Sequence, residues 1–201
     1  MDPVRRQGRP ASRILLGLLV GLLVGLVVFG AAGYRVGARG PLANAAQDSR
    51  RSTVFGGDKE LAALATAWLP AVTICDGAKV AAGERSHVSC ALGELTVHFV
   101  RFASVAERDS ARATRREWHE DAKRLAPGAT HLLRRPSASQ RTRGEYIEFA
   151  RVSGKGAGAP IVAGVWWDDG DQPLAAYAEG TWAKDLGGSW TPLRDAWTKY
   201  S

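Results

Sequence analysis

The side chains with chemistry to offer are few. Four histidines, His87, His98, His119 and His131, titrate near neutral pH when unperturbed. Their spacing holds no HxxxH or HExxH pair, so no helix turn presents a zinc-type ligand set. Each reads as a lone surface or core residue, with His119 and Glu120 on a solvated helix face. Glu145 and Glu148 lie three apart in an alternating segment, so they face opposite sides and form no close acid/base pair. Asp168, Asp169 and Asp171 surround Gly170 as calcium ligands would. Gln172-Pro173-Leu174 then stands where further oxygen ligands and a closing Glu are needed, so the stretch is a turn. No serine sits in a GxSxG elbow. Gly154-Lys155-Gly156-Ala157-Gly158 lacks the strand-to-helix context of a phosphate loop and reads as a hairpin loop. The residues therefore predict no catalytic site, no metal and no cofactor.

Two features point to binding. Residues 122–143 contain no acid, while Lys123, Arg124, Arg134, Arg135, Arg141 and Arg143 supply six positive charges. They form either an anion-binding patch for envelope polymers or headgroups, or a solvated loop. Of seven tryptophans, five fall late in the chain: Trp166, Trp167, Trp182, Trp190 and Trp197. Adjacent Trp166 and Trp167 must face opposite sides of one strand. If the sheet keeps an open face, Trp and Arg on it suit a ligand groove or partner surface.

Cys75 and Cys90 are the only cysteines. Without CxxC spacing or a nearby His pair they read as a disulfide, with two separate buried thiols as the alternative. A disulfide places them in an oxidising compartment.

The elements that must position these residues follow from periodicity. Asp58 caps a first helix whose apolar face is Leu61, Leu64, Ala65, Trp68 and Leu69, ended by Pro70. Strands are expected at 71–75, at 87–90 and, most clearly, at Glu94 to Phe102. Ser104 and Glu107 form a capping box for a long helix to Leu125, with Ala111, Thr114, Trp118, Ala122 and Leu125 as its buried stripe. Its opposite face, Arg108 to Glu120, is charged, with Arg116 and Glu120 at i,i+4. Strands return at 145–152, 161–167 and 174–179, the last two joined as a hairpin through the Asp168–Asp171 turn. Thr191 caps a final helix with Pro192 at its first position and Leu193, Ala196, Trp197 and Tyr200 inward. The class is α+β: a mostly antiparallel sheet with about three helices.

All of this follows an apolar stretch, Ile14 to Gly33, of twenty residues without charge. As a helix it spans about 30 Å, the thickness of a bilayer's hydrocarbon core. Secretory signal cores run about 7–15 residues, so an uncleaved signal anchor is expected. The alternative, cleavage after Ala43-Asn44-Ala45, lies beyond Arg35 and Arg39. Arg5, Arg6, Arg9 and Arg13 precede the stretch and place the N-terminus in the cytoplasm. Gly17, Gly21 and Gly25 repeat every fourth residue, a face for pairing with a second copy or another membrane helix. The expected organisation is a cytoplasmic tail 1–13, a transmembrane helix 14–33, a flexible linker 34–57 and an extracytoplasmic domain 58–201. The net charge of +7 is divided between the tail, at +3, and the remainder, at +4, too mild for nucleic-acid binding. Arg outnumbers Lys 21 to 6 and Ala and Gly abound, the usage of a GC-rich genome.

From about Leu61 to Tyr200 the chain resembles the extracytoplasmic domain that follows the membrane span in many actinobacterial Ser/Thr protein kinases and in small anchored relatives. The resemblance is carried by LAALATAWLP before Cys75, the Cys90 strand, LTVHFVRFAS, IVAGVWWDDGD and the Trp-bearing last helix. It implies an actinobacterial envelope sensor or interaction module without catalysis. The leading expectation is a plasma-membrane protein whose outer domain binds an envelope component or partner protein. The alternatives are an envelope enzyme acting on cell-wall polymer and a structural subunit of a membrane complex.

Overall fold

Two antiparallel three-stranded meanders, joined side by side, and one short edge strand make the sheet. The computed structural model describes residues 53–130, 132–134, 136–137 and 142–201. Its order is α1 (Lys59–Ala65), β1 (Thr73–Gly77), β2 (Glu84–Leu92), β3 (Leu95–Phe102), α2 (Val105–Leu125), β4 (Leu133–Arg134), β5 (Glu145–Val152), β6 (Ile161–Asp168), β7 (Leu174–Thr181) and α3 (Thr191–Tyr200). The strands lie β1-β2-β3-β7-β6-β5-β4, every neighbouring pair antiparallel. The expected α+β class holds, and the sheet gains the two-residue edge strand β4 that periodicity had not shown. The Ile14–Gly33 stretch, with Gly17, Gly21 and Gly25, lies outside the described residues. No described helix is long and apolar enough to cross a membrane.

Side-chain alternation divides the sheet into two faces. One face carries Val88, Cys90, Val97, Phe99, Val165, Trp167, Ala176 and Ala178, and packs against Leu61, Trp68, Leu193 and Trp197. Trp68 stacks on Trp167 with centroids 5.0 Å apart. The other face carries Val100, Phe102, Ile147, Phe149, Trp166, Ala175 and Tyr177 against Ala111 and Trp118 of α2. Trp166 and Trp167 thus do face opposite sides, and both are buried. Gly164 lets Phe149 cross this second face: a Cβ there would come within 2.5 Å of Phe149 Cζ and 2.7 Å of the Ala178 carbonyl.

Local signals set the element ends. The Leu61 N–H donates to Asp58 Oδ1 (3.0 Å), and the Glu107 N–H donates to Ser104 Oγ (3.2 Å). Three expectations change. Helix α1 stops at Ala65, and Trp68 reaches the core from the turns that follow. Val54 and Phe55, assigned to the linker, belong to the core, Phe55 lying edge-on to Phe99 at 6.0 Å. Helix α3 begins at Thr191, and the hydroxyl serving its start is that of Ser189, which accepts from the Thr191 N–H (3.1 Å).

The Cys75–Cys90 disulfide is formed. These residues are direct cross-strand partners, and a bulge between Thr73 and Cys75 takes up one residue to align them. The bond fastens the exposed edge strand β1 to β2. By loop-closure entropy a loop of this length contributes about 3 kcal/mol.

Candidate functional site

Helix α2 is fixed to the sheet by arginines. Arg108 donates to the Gln172 carbonyl (2.8 Å) and the Gly170 carbonyl (3.2 Å). Arg112 grips Asp168 with both ends of its fork, at 2.7 and 2.8 Å. Arg116 pairs with Glu145 (2.8 Å from Nε). The His119 Nδ1–H donates to the Glu148 carbonyl (2.6 Å). The face expected to be solvated is therefore the docking face: Arg108, Arg112 and His119 are buried, and Arg116 bonds Glu145 in place of Glu120. These long side chains pack their stems on the sheet while their forks find carboxylates and strand-end carbonyls.

Asp168 is the centre of this arrangement. It is 1% exposed and also accepts from Trp166 Nε1–H (2.8 Å). Gly144 allows its approach, since a Cβ there would run into the Asp168 carboxylate. On the other face, Glu148 binds Arg194 (2.7 and 2.9 Å), Tyr146 Oη–H (2.9 Å) and the Thr130 N–H (2.7 Å). Burial pushes the Glu148 carboxyl up, but these donors outweigh it and hold it below the usual range. Glu145 and Glu148 serve opposite faces, as alternation requires.

A cleft of about 310 Å³ opens beside this network, lined by Val105, Arg108, Asp109, Arg112, Arg143, Gly144, Glu145, Gly170 and Asp171. Its inner carboxylates are already held by arginine forks, so neither Glu145 nor Asp168 is placed as a free general acid or base. Lys123, Arg124 and Arg143, the three of the six basic residues of 122–143 whose side chains are described, do not meet. Arg143 lines this cleft beside Arg108, at the start of α2. Lys123 and Arg124 are exposed in its last turn and pair with Glu120 (2.6 Å) and Asp121 (3.3 Å). Fifteen residues of helix separate Arg108 from Lys123, about 22 Å. Arg135, Arg141 and the Arg134 side chain lie outside the described residues.

A second cluster occupies the same sheet face where α2 leaves it open. Cross-strand register lines up Ser89, His98, Tyr177 and Trp166 across β2, β3, β7 and β6. Thr96, Glu179 and Gly164 form the next row. His87 lies diagonally beside His98, so these two histidines, expected to be lone residues, are a pair. Glu84 Oε2 is 3.1 Å from His87 Nδ1, and His87 Nε2 is 3.0 Å from His98 Nδ1. The His98 ring stacks on Tyr177 at 4.2 Å. Glu179 accepts from Arg151 at 3.3 Å.

A carboxylate only accepts, so His87 Nδ1–H donates to Glu84. We assign the proton between the two rings to His98 Nδ1, which donates to His87 Nε2. In that tautomer His98 Nε2 is an acceptor, buried and without a hydrogen-bond partner among the described residues. Burial, then the neighbouring His87 and Arg115, push the His98 imidazole down to about 3. It stays neutral at physiological pH.

Arg115 stands over this cluster. Its guanidinium carbon is 4.3 Å from the Trp118 centroid, 4.9 Å from Phe149, 5.0 Å from Tyr177 and 5.5 Å from Trp166. Such contacts contribute about 0.5–2 kcal/mol. Unlike Arg108, Arg112 and Arg116, it has no hydrogen bond or ion pair with any described residue, and its Nε–H is buried without a partner. Burial holds its pKa below the usual guanidinium value. An enclosed cation without an anion is expensive, and such groups collect at binding sites.

Among the described residues no group of three or more His, Cys, Asp or Glu could hold a metal ion. The cluster was partly accessible to sequence reasoning. The turn pairing Leu92 with Leu95 puts Ser89 opposite His98, with His87 two residues along on the same face. Arg115 carried no comparable signal, because its four rings come from α2 and three separate strands. No family model, curated protein or solved structure matches the chain.

Proposed function

We propose that this chain is a single-pass, N-in membrane protein of the cell envelope whose outer α+β domain is a non-catalytic, sensor-like binding domain. Its recognition surface is the open part of the sheet around His98, Tyr177, Thr96 and Arg115, and its ligand is an envelope component. The observation that carries this reading is Arg115, ringed by aromatics and without an anionic partner among the described residues. The apolar Ile14–Gly33 stretch supports the anchor, and its Gly17, Gly21 and Gly25 face supports pairing with a second copy or another membrane helix. The disulfide supports an oxidising compartment outside the cytoplasm. The resemblance to outer domains of actinobacterial kinases supports a sensor over an enzyme.

The test is a photo-crosslinking residue in place of exposed Thr96, in the full chain in native membranes. An adduct with envelope glycan, peptide or lipid, absent when the same residue replaces Lys79, is the expected result. Adduct-free Thr96 would sink the reading. An alkaline-phosphatase fusion after Ser201 that stays inactive would sink the topology. The enzyme reading keeps one observation, the cleft at Glu145, and requires that Glu145→Gln abolish a cell-wall hydrolase activity of the purified chain.

A further inference from the structure

We propose that Arg115 and His98 together bind a carboxylate that carries a neighbouring hydrogen-bond donor, a hydroxyl or an amide N–H. The inference deepens the binding-domain reading and rests on it.

Three observations converge. First, aromatic rings hold a guanidinium through its flat face, which leaves the in-plane N–H fork for a ligand. Arg115 is held by rings and by no hydrogen bond to a described residue. The fork matches a planar two-oxygen anion. Second, the facing charges limit what that anion can be. Arg115 and Arg151 meet Glu84 and Glu179, while burial keeps the His98 imidazole and the Tyr177 phenol neutral. Arg151 is already committed to Glu179, and Glu84 to His87. Among the described residues, Arg115 has the one uncommitted fork of this cluster, where two guanidiniums meet two carboxylates. A singly charged carboxylate suits it better than a doubly charged phosphate, which would meet Glu179 and Glu84 with no second cation to spare.

Third, His98 Nε2 offers a lone pair and lacks a donor. Glu179 Oε1, 3.9 Å away, is also an acceptor. A buried acceptor left unpaired loses its hydration without recompense, so a ligand that donates there is selected over one that does not. A hydroxy acid and an N-acyl amino acid both place a donor next to a carboxylate. The envelope supplies the first chemistry from sugar acids and the second from peptide termini, and the site as built accepts either.

The experiment uses the full chain in nanodiscs and follows tryptophan fluorescence, because Trp118 and Trp166 lie under Arg115. Glycolate represents the hydroxy acid and N-acetylglycine the peptide terminus. Acetate has no donor, and inorganic phosphate has the wrong charge. Saturable quenching is expected with glycolate or N-acetylglycine, about tenfold tighter than with acetate, the worth of one good hydrogen bond. The tighter of the two identifies the source. Arg115→Met should abolish saturation, and His98→Phe should lower the better ligand to the acetate level. If Arg115→Met fails to fold, judged by its circular dichroism, Arg115→Lys decides: it keeps the charge and loses the fork, and binding should weaken at least about fivefold. An unsaturable response, phosphate binding more tightly than both carboxylates, or Arg115→Lys binding unchanged would overturn the proposal. Thr96 adducts with no carboxylate binding would overturn it alone and leave the binding-domain reading standing. Loss of both would end both.

Discussion

Asp168→Asn should destabilise the domain far more than any neighbouring acid-to-amide change. Four donors aim at this carboxylate. Oδ2 accepts from Arg112 Nε (2.7 Å) and Trp166 Nε1 (2.8 Å), and Oδ1 from Arg112 Nη2 (2.8 Å) and the Glu145 N–H (3.4 Å). An amide must present an NH2 to one of these two donor pairs, whichever way it flips. Two bonds are lost and donors then face donors. Hydrogen bonds to charged groups contribute about 1.5–3 kcal/mol each, giving a loss of roughly 3–6 kcal/mol. Breaking a buried ion pair from one side costs about 3–5 kcal/mol, in agreement. For a domain of this size, at about 2–4 °C per kcal/mol, the melting temperature should fall by about 6–24 °C. The assay is urea and thermal unfolding followed by tryptophan fluorescence, with exposed Asp171→Asn as the control, expected within about 0.5 kcal/mol of the parent. A second arm replaces the pair with Arg112→Met and Asp168→Leu, which should recover part of the loss because no unpaired charge remains on those two residues. A loss under about 1 kcal/mol for Asp168→Asn, or a double variant worse than the single, would refute the assignment of Asp168 as the anchor of α2.

Three further outcomes follow from the same contacts. Cys75→Ser with Cys90→Ser should lower stability by about 3 kcal/mol, and hydrogen exchange should accelerate at Thr73–Gly77 before any other strand. Gly164→Ala should cost more than Gly187→Ala in chemical unfolding: the first drives a Cβ into Phe149 and the Ala178 carbonyl, whereas the second meets only an unfavourable φ of +59° in open space. His98 should stay neutral in NMR titration until pH approaches 3. Its sign as a stability term is set by the depressed value. The unfolded histidine binds a proton below about 6.5 while the folded one does not, so stability is full above that pH and is lost progressively as pH falls towards 3. His98→Gln should flatten that part of the stability–pH curve, and an unchanged slope would contradict the buried neutral imidazole.

Much of the fold is local in origin, and so was visible in the residues alone. Alternation located six strands because period two survives wherever one sheet face is packed. Asp58 and Ser104 marked helix starts because the orphan N–H groups there need an oxygen. Cys75 and Cys90 announced their bond because a sole pair without CxxC spacing or a nearby His pair has one partner each. The errors share one cause. Periodicity on α2 ranked arginine and histidine as solvated, yet Arg108, Arg112 and His119 are buried against the sheet. Besides the neighbouring Asp109, the partners that offset their burial are Asp168 and the Glu148, Gly170 and Gln172 carbonyls, which arrive from β5, β6 and the turn after β6, some 30–60 residues away. Lys123, Arg124 and Arg143 are close in sequence, yet the length of α2 lies between the first two and the cleft that Arg143 lines beside Arg108. What the sequence by itself determined was the class of the domain, its disulfide and its strand pattern, since each depends on short-range geometry. Only the tertiary structure decided which cations have partners. That depends on long-range pairing between β3, β7 and β6, which leaves Arg115 over the Tyr177 ring on which His98 stacks, with no hydrogen bond to any described residue.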